Sequence, residues 1–125
     1  MTSKEKALKI ANLLHDKKAQ DIKILELKNL TIITDYFVIC SAENTTQVKA
    51  LTEYVEDRMN LEGFTPYGME GFLYAHWVLM DYGDVIVHVF LEETRRYYDL
   101  ERFWLDAPRI PFSETTSDKT HVVYK

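Results

Sequence analysis

The run from Tyr36 to Ser41 constrains the fold more than any other part of the chain, because it contains almost no polar side chain. It reads Tyr-Phe-Val-Ile-Cys-Ser, so it is rich in aromatic and β-branched residues and too short for a buried helix. A strand that is apolar on both sides must be covered on both faces of its sheet. The run therefore predicts the central strand of a layered α/β fold.

Two amphipathic helices are predicted, one before and one after this strand. Residues 3–18 place apolar side chains at three- and four-residue steps, and residues 44–63 do the same from Val48 to Met59. Asn44 is a favourable N-cap residue with Gln47 three positions later, and Gly63 can end the second helix. Each helix has one apolar side with which to cover the sheet.

Further strands are expected on both sides of the second helix. Residues 21–28 alternate in polarity, with either Ile24 or Leu25 facing the core, as in a half-buried strand. Residues 65–71 predict a short extended piece that crosses between layers. Residues 76–80 and 85–91 are apolar runs joined by a turn where Gly83 can take a positive φ, which indicates a hairpin.

Glu92 and Glu93 stand where a helix N-terminus favours carboxylates, and Thr94 to Trp104 continues with helix-tolerant residues until Pro108. One kinked helix or two short helices are therefore predicted. Residues 1–107 are expected to form one domain, and residues 108–125 a C-terminal tail whose positions 121–124 could add an edge strand. The order is α-β-β-α-β-β-β-α. This predicts an α/β (α+β) fold with a mixed sheet of about five strands and helices packed on it.

Composition and charge narrow the function. Of the 125 residues, 46% are hydrophobic and 28% charged, as in one ordinary globular domain. The single cysteine allows no disulfide framework, and we expect no signal peptide and no membrane span, hence a cytoplasmic location. The net charge of −5 argues against a surface that binds many phosphates. It favours a basic protein partner, with little direct RNA contact.

Catalytic chemistry has one candidate. Asp81 and Asp84 flank the hairpin turn and Asp35 precedes the central strand, so the three carboxylates could form a divalent-metal site. Aspartates beside a glycine turn also bond nearby backbone amides. A nucleotidyl-transferring site would need a phosphate-binding turn, where Glu43 stands here and would repel phosphate. We expect no catalysis; a divergent nucleotidyltransferase-type enzyme using Asp81, Asp84 and a divalent metal is the alternative.

Histidine and cysteine offer little metal or nucleophile chemistry. The four histidines lack the paired spacing of zinc ligands. His88 alternates with Ile86 and Phe90 on one strand face, which favours a hydrogen-bonded sheet residue. Cys40 lies in an apolar strand, where burial suppresses the thiolate. We therefore expect neither a metal nor a cofactor.

Aromatic and charged residues are concentrated together between Trp77 and Trp104. Trp, Tyr and Arg dominate the binding energy of protein interfaces, although aromatic residues also fill cores. The charged residues among them need water or a partner, because an unpaired buried charge is costly. The segment therefore predicts a docking surface. Its members are Trp77, Tyr82, Tyr97, Tyr98, Phe103 and Trp104, with Arg95, Arg96, Asp99, Glu101 and Arg102 between them.

Several stretches of the chain closely resemble the ribosomal silencing factor family, also called RsfS or Iojap-like. The longest runs from Trp77 to Trp104, and shorter ones are Gln20-Asp-Ile, Thr34-Asp-Tyr-Phe-Val-Ile-Cys and Pro66-Tyr-Gly-Met-Glu-Gly. The resemblance covers roughly residues 3–107. One departure follows Cys40, where the family usually has Thr-Gly and this chain has Ser-Ala-Glu-Asn.

The resemblance implies a nucleotidyltransferase-like fold without a catalytic site, and a protein that binds the large ribosomal subunit through ribosomal protein L-fourteen. Binding there would block the joining of the two subunits and repress translation under nutrient limitation. Family members often purify as homodimers, so a homodimer is expected. The contact surface that the resemblance implies consists of Trp77, Leu79, Asp81, Tyr82, Gly83, Asp84, Arg96, Tyr98, Leu100, Glu101 and Trp104.

Overall fold

The computed structural model describes residues 1–112, and the elements follow the predicted order. The tail beyond residue 112, with its predicted edge strand, lies outside the described residues. The elements are α1 Ser3–Asp16, β1 Gln20–Glu26, β2 Tyr36–Ala42, α2 Thr45–Leu61, β3 Gly68–Glu70, β4 Trp77–Asp81, β5 Val85–Leu91, α3 Glu92–Tyr98 and a 3₁₀-helix Leu100–Trp104.

The strands form a mixed five-stranded sheet in the order β1-β2-β5-β4-β3, which confirms the predicted α+β architecture. β2 and β5 are parallel, and the other neighbours are antiparallel. Every residue of β2 is buried, so its predicted cover on both faces is confirmed. The prediction that β2 is central is wrong: β5 occupies the middle, because β4 and β3 extend the sheet beyond it.

Two strands differ from their predictions in detail. β1 contains a bulge near Asp21, whose φ is 49°, and after it both Ile24 and Leu25 are buried, on opposite faces. The prediction that only one of these two residues faces a core is therefore wrong, because each faces a different one. β3 does not cross between layers. Its backbone pairs with the free edge of β4, with Met69 opposite Met80, so it becomes an edge strand.

Helices α1 and α2 cover one face of the sheet. Asn44 caps α2 as predicted, because its side chain accepts a hydrogen bond from the Gln47 amide at 2.8 Å. α1 ends two residues before the predicted Lys18, which adopts a φ of 67° that no helix accommodates. The core on this face is fully buried and mainly aliphatic, with members that include Ile10, Leu14, Val38, Leu51, Val55, Met59, Val87 and Val89.

The segment after β5 forms two short helices, as one of the predicted alternatives has it. α3 ends at Tyr98, because the φ of 48° at Asp99 breaks the helix before the 3₁₀-helix begins. Residues 108–112 then run beside β1: the Glu26 amide donates to the Pro108 carbonyl at 2.8 Å, and the Ile110 amide to that of Ile24 at 2.9 Å. The outer edge of β1 is thereby covered. Within residues 1–112, no helix has the length and apolar character needed to span a membrane.

Candidate protein-binding surface

The face of the sheet opposite α1 and α2 carries aromatic side chains and is covered only in part. Because side chains alternate along a strand, β5 directs Ile86, His88 and Phe90 to this face and its valines to the helices. We call this face the open face; its side chains are Phe37, Ile39, Trp77, Leu79, Ile86, His88 and Phe90, with Leu100 and Trp104 packed against them. Trp77 and Leu79 remain partly exposed.

Trp77 is held in one orientation at the centre of this aromatic cluster. Its ring stacks on Phe90 with 4.7 Å between centroids, and its indole Nε1 donates a hydrogen bond to His88 Nδ1 at 3.0 Å. Burial lowers the pKa of His88 to about 3, so the imidazole is neutral and can accept this bond. The prediction that His88 is a hydrogen-bonded sheet residue is confirmed. A Trp ring fixed in this way meets a partner with little loss of side-chain entropy.

The 3₁₀-helix supplies the second half of the open face. Trp104 packs edge-on against Phe37 with 5.9 Å between ring centroids, and Leu100 packs against the same apolar cluster. Tyr98 lies 5.1 Å from the Trp77 ring and is half exposed. Of the residues predicted for the contact surface, the structure therefore brings Trp77, Leu79, Tyr98, Leu100 and Trp104 together.

The hairpin turn is occupied by contacts within the chain. Asp81 Oδ1 accepts a hydrogen bond from the Gly83 amide at 2.7 Å, and Gly83 has the predicted positive φ of 86°. Tyr82 is buried on the helix-covered side, where desolvation raises the pKa of its hydroxyl. Asp84 Oδ1 accepts a hydrogen bond from Lys6 Nζ at 2.8 Å. These four predicted contact residues thus stabilise the turn, and Tyr82 and Asp84 are directed away from the open face.

The two remaining predicted residues have different surroundings. Arg96 is exposed on α3 and pairs with Glu92 at 3.3 Å. Glu101 points inward and accepts two hydrogen bonds from Arg95, each 3.1 Å long. Arg95 is only 6% exposed and also donates to the hydroxyl of Ser41 at 2.9 Å. The sequence offered no signal that Arg95, among several arginines, is the one that joins the 3₁₀-helix to the sheet.

A cavity of about 460 Å³ opens beside Trp77, between α3 and the loop before β4. Tyr97 belongs to the docking surface predicted from the aromatic segment but not to the contact set that the resemblance implies, and Tyr74 belongs to neither. Both residues line this cavity and are strongly exposed, Tyr74 at 75% and Tyr97 at 82%. Tyr74 lies before Trp77, outside the aromatic and charged segment, so that segment gave no signal for it. We call the cavity the tyrosine pocket; it is lined by Tyr74, His76, Trp77, Glu93, Thr94, Tyr97 and Tyr98.

The alternative metal chemistry finds no support in the positions of its carboxylates. The Asp35 amide donates to the Asp84 carbonyl at 3.0 Å, but the Asp84 carboxylate is bound by Lys6 and that of Asp81 by the turn. Among residues 1–112, no three histidine, cysteine or acidic side chains are grouped so as to hold a metal ion. Cys40 is fully buried, and burial raises the pKa of its thiol to about 12, which suppresses a nucleophilic thiolate.

These features define an α+β protein with one sheet face closed by helices and one aromatic face partly open. The family model described as "Ribosomal silencing factor during starvation" (RsfS) matches residues 1–123. The chain is 44% identical over 93 residues to the ribosomal silencing factor RsfS of Bacillus subtilis, covering 74% of this chain and 79% of the relative. It is 38% identical over 109 residues to that of Halalkalibacterium halodurans, covering 86% of this chain and 93% of the relative.

The fold is similar to a solved structure as well. A crystal structure of a protein from Chromobacterium violaceum aligns with a TM-score of 0.80 at 35% identity, over 90% of this chain and 93% of that one. The chain therefore belongs to the RsfS family of ribosomal silencing factors, as its resemblance in sequence predicts.

Proposed function

We propose that this protein binds the large ribosomal subunit through ribosomal protein L-fourteen, and that it thereby blocks the joining of the small subunit and represses translation when nutrients are limiting. The observation that carries this proposal is an aromatic, partly open sheet face in a chain whose relatives are named ribosomal silencing factors. Bound at that position, the protein acts by occupying a surface that the small subunit needs.

The chemistry of the open face favours a protein partner. Trp77, Leu79 and Leu100 present half-buried apolar area beside the half-exposed Tyr98. Such area, centred on rigid aromatic rings and surrounded by charged residues, is the usual composition of an interface core and its rim. A phosphate backbone would gain little from these groups, and the net charge of −5 opposes it. A basic ribosomal protein satisfies both requirements, with little direct contact to RNA.

Sedimentation with purified large subunits tests the proposal. The protein should travel with large subunits and lower the yield of joined ribosomes when small subunits are added. Replacing both Trp77 and Tyr98 by alanine removes the centre of the surface. We expect the binding free energy to weaken by about 2 kcal/mol or more, which is a rise of roughly thirtyfold in Kd. Leu61→Ala removes an exposed apolar side chain from α2 and is the matched control. Equal sedimentation of the double variant and the control would exclude this surface.

Further parts of the proposal concern mode of action and assembly. We propose that the protein catalyses no reaction, acts in the cytoplasm, and forms a homodimer through the open face, so that the second copy and the ribosome compete for it. Dissociation to monomer would then precede ribosome binding, and dilution should raise the apparent association rate. An association rate that is independent of the dimerisation state would refute the competition and leave the ribosome-binding proposal standing.

A further inference from the structure

We propose that the tyrosine pocket binds one cationic side chain of the partner protein, and that an arginine fits it best. The inference rests on the proposed function, because it names the partner group that this end of the docking surface takes. Three properties of the pocket support it. Its rings surround a common space, it contains a carboxylate without an ion pair, and no lysine or arginine of residues 1–112 occupies it.

The rings are arranged around a common space. Tyr98 lies between two other aromatic residues, 5.1 Å from Trp77 and 5.0 Å from Tyr97, and it stands perpendicular to Tyr97. Tyr74 closes another side of the cavity and packs on the His76 ring at 4.2 Å. The faces of Trp and Tyr rings carry negative electrostatic potential, so a cation among several of them is attracted by each.

Glu93 adds a full negative charge to this lining. It is exposed and forms no ion pair within residues 1–112, whereas its neighbour Glu92 pairs with Arg96 at 3.3 Å. Glu70, which lines an adjoining cavity with Trp77, also forms no ion pair in that range. A cation in the pocket would gain both the rings and a carboxylate. A neutral aromatic group would gain the stacking alone.

The chain's own cations are used at other rings. Lys6 lies 4.4 Å from the centroid of Phe64, and Lys17 lies 4.7 Å from that of Tyr54. Within residues 1–112, no lysine or arginine lies over Tyr74, Tyr97 or Tyr98. The pocket therefore has the lining of a cation site and no cation from this part of the chain.

Arginine suits the pocket better than lysine. Its guanidinium is planar, stacks on ring faces and is more weakly hydrated, while its N–H groups can still reach a carboxylate such as that of Glu93. The cavity, at about 460 Å³, has the volume usual for a ligand site and accepts a long side chain with its backbone outside. This end of the surface thus selects partners by charge, while the open face supplies apolar contact.

Nuclear magnetic resonance with small probes tests the pocket on the full chain. N-acetyl-arginine N-methylamide is titrated against the indole Nε1–H signal of Trp77, assigned by its loss in Trp77→Phe. The neutral isostere N-acetyl-citrulline N-methylamide serves as the matched probe. The arginine compound should give a saturable shift, with citrulline about fivefold weaker or more. Glu93→Gln should weaken arginine binding by about threefold to tenfold, and Glu92→Gln, on the same helix, should leave it unchanged.

Equal binding of arginine and citrulline probes, no shift with either, or a Glu93→Gln titration equal to the wild type would each overturn the assignment. The same glutamine variants in the sedimentation assay separate this inference from the proposed function. If large subunits bind the wild type and Glu93→Gln equally, the docking proposal stands and the cation pocket fails. If no subunit binding occurs, the docking proposal fails, and the titration alone decides whether the pocket takes a cation.

Discussion

The two faces of one sheet have opposite chemistry although the same strands supply both. On the helix-covered face, β5 contributes Val85, Val87 and Val89, and α1 and α2 bury them completely. On the open face the same strand contributes Ile86, His88 and Phe90, in contact with tryptophan rings and a short 3₁₀-helix. The first face completes its burial within the described chain. The second keeps apolar area accessible, which is the property expected of a surface that binds another molecule.

The largest expected effect is on the helix-covered face. Leu14 is fully buried there, so Leu14→Ala removes apolar contacts and leaves a cavity. We expect the free energy of unfolding to fall by about 3 kcal/mol, measured by urea denaturation. The Leu14→Ala protein that remains folded should bind large subunits as the wild type does. A loss below about 1 kcal/mol would mean that this face is not tightly packed, and would remove the contrast between the faces.

Acid should destabilise the folded protein through His88, which lies on the open face. Its pKa is lowered by burial from 6.5 to about 3, so between these values the unfolded chain binds a proton that the folded chain does not. Stability therefore decreases as the pH falls through this window, by up to ~1.4 kcal/mol per pH unit, or about 2 kcal/mol at pH 5. The measurement is urea unfolding at about pH 7 and about pH 5.

The His88→Gln variant isolates this contribution from that of the carboxylates, since glutamine does not titrate. Its free energy of unfolding should depend less on pH than that of the wild type. Identical pH dependence in the two proteins would show that His88 does not remain neutral in the folded state.

Leu79→Ala sharpens the comparison from the other side. Leu79 is only partly buried on the open face, so we expect unfolding to become easier by less than about 1 kcal/mol. Large-subunit binding should weaken about tenfold, because the removed area belongs to the proposed contact. Denaturation and sedimentation measured on the same preparation check both numbers. A variant with reduced stability and unchanged binding would assign Leu79 to the core alone.

The smallest expected effect concerns the 3₁₀-helix that covers part of the open face. Glu101→Gln weakens the hydrogen bonds from Arg95, and Glu101 is partly exposed, so we expect the free energy of unfolding to fall by less than about 1 kcal/mol. Hydrogen exchange at residues 100–104 should accelerate more than exchange in β5. Uniform acceleration throughout the chain would mean that this ion pair supports the whole fold and not the short helix in particular.

Local patterns predicted much of the fold. The apolar run at Tyr36, the Asn44 cap and the Gly83 turn each depend on near neighbours, and the structure contains all three. The centre of the sheet was mispredicted, because strand order depends on how β3 and β4 extend it and not on the polarity of β2. In β1, Ile24 and Leu25 point to opposite faces as alternation requires, and both are buried because the sheet is covered on both sides there, by residues distant in sequence.

The candidate site was predictable only in part for a similar reason. Alternation along β4 puts Trp77 and Leu79 on one face, and the pattern indicates this directly. Alternation ends at the turn, so it could not tell that Tyr82 packs under the helices and that Asp84 meets Lys6, which is distant in sequence. The burial of Arg95 likewise depends on Ser41 and Glu101, two partners from other elements.

Photo-crosslinking tests most directly whether the open face contacts ribosomal protein L-fourteen. The photoreactive amino acid p-benzoylphenylalanine is placed at Leu79, or at Leu61 on α2 as the control, and each protein is irradiated with purified large subunits. We expect position 79 to crosslink to ribosomal protein L-fourteen and position 61 not to do so. Crosslinks from position 79 to ribosomal RNA or to another protein, or equal crosslinking from both positions, would contradict it.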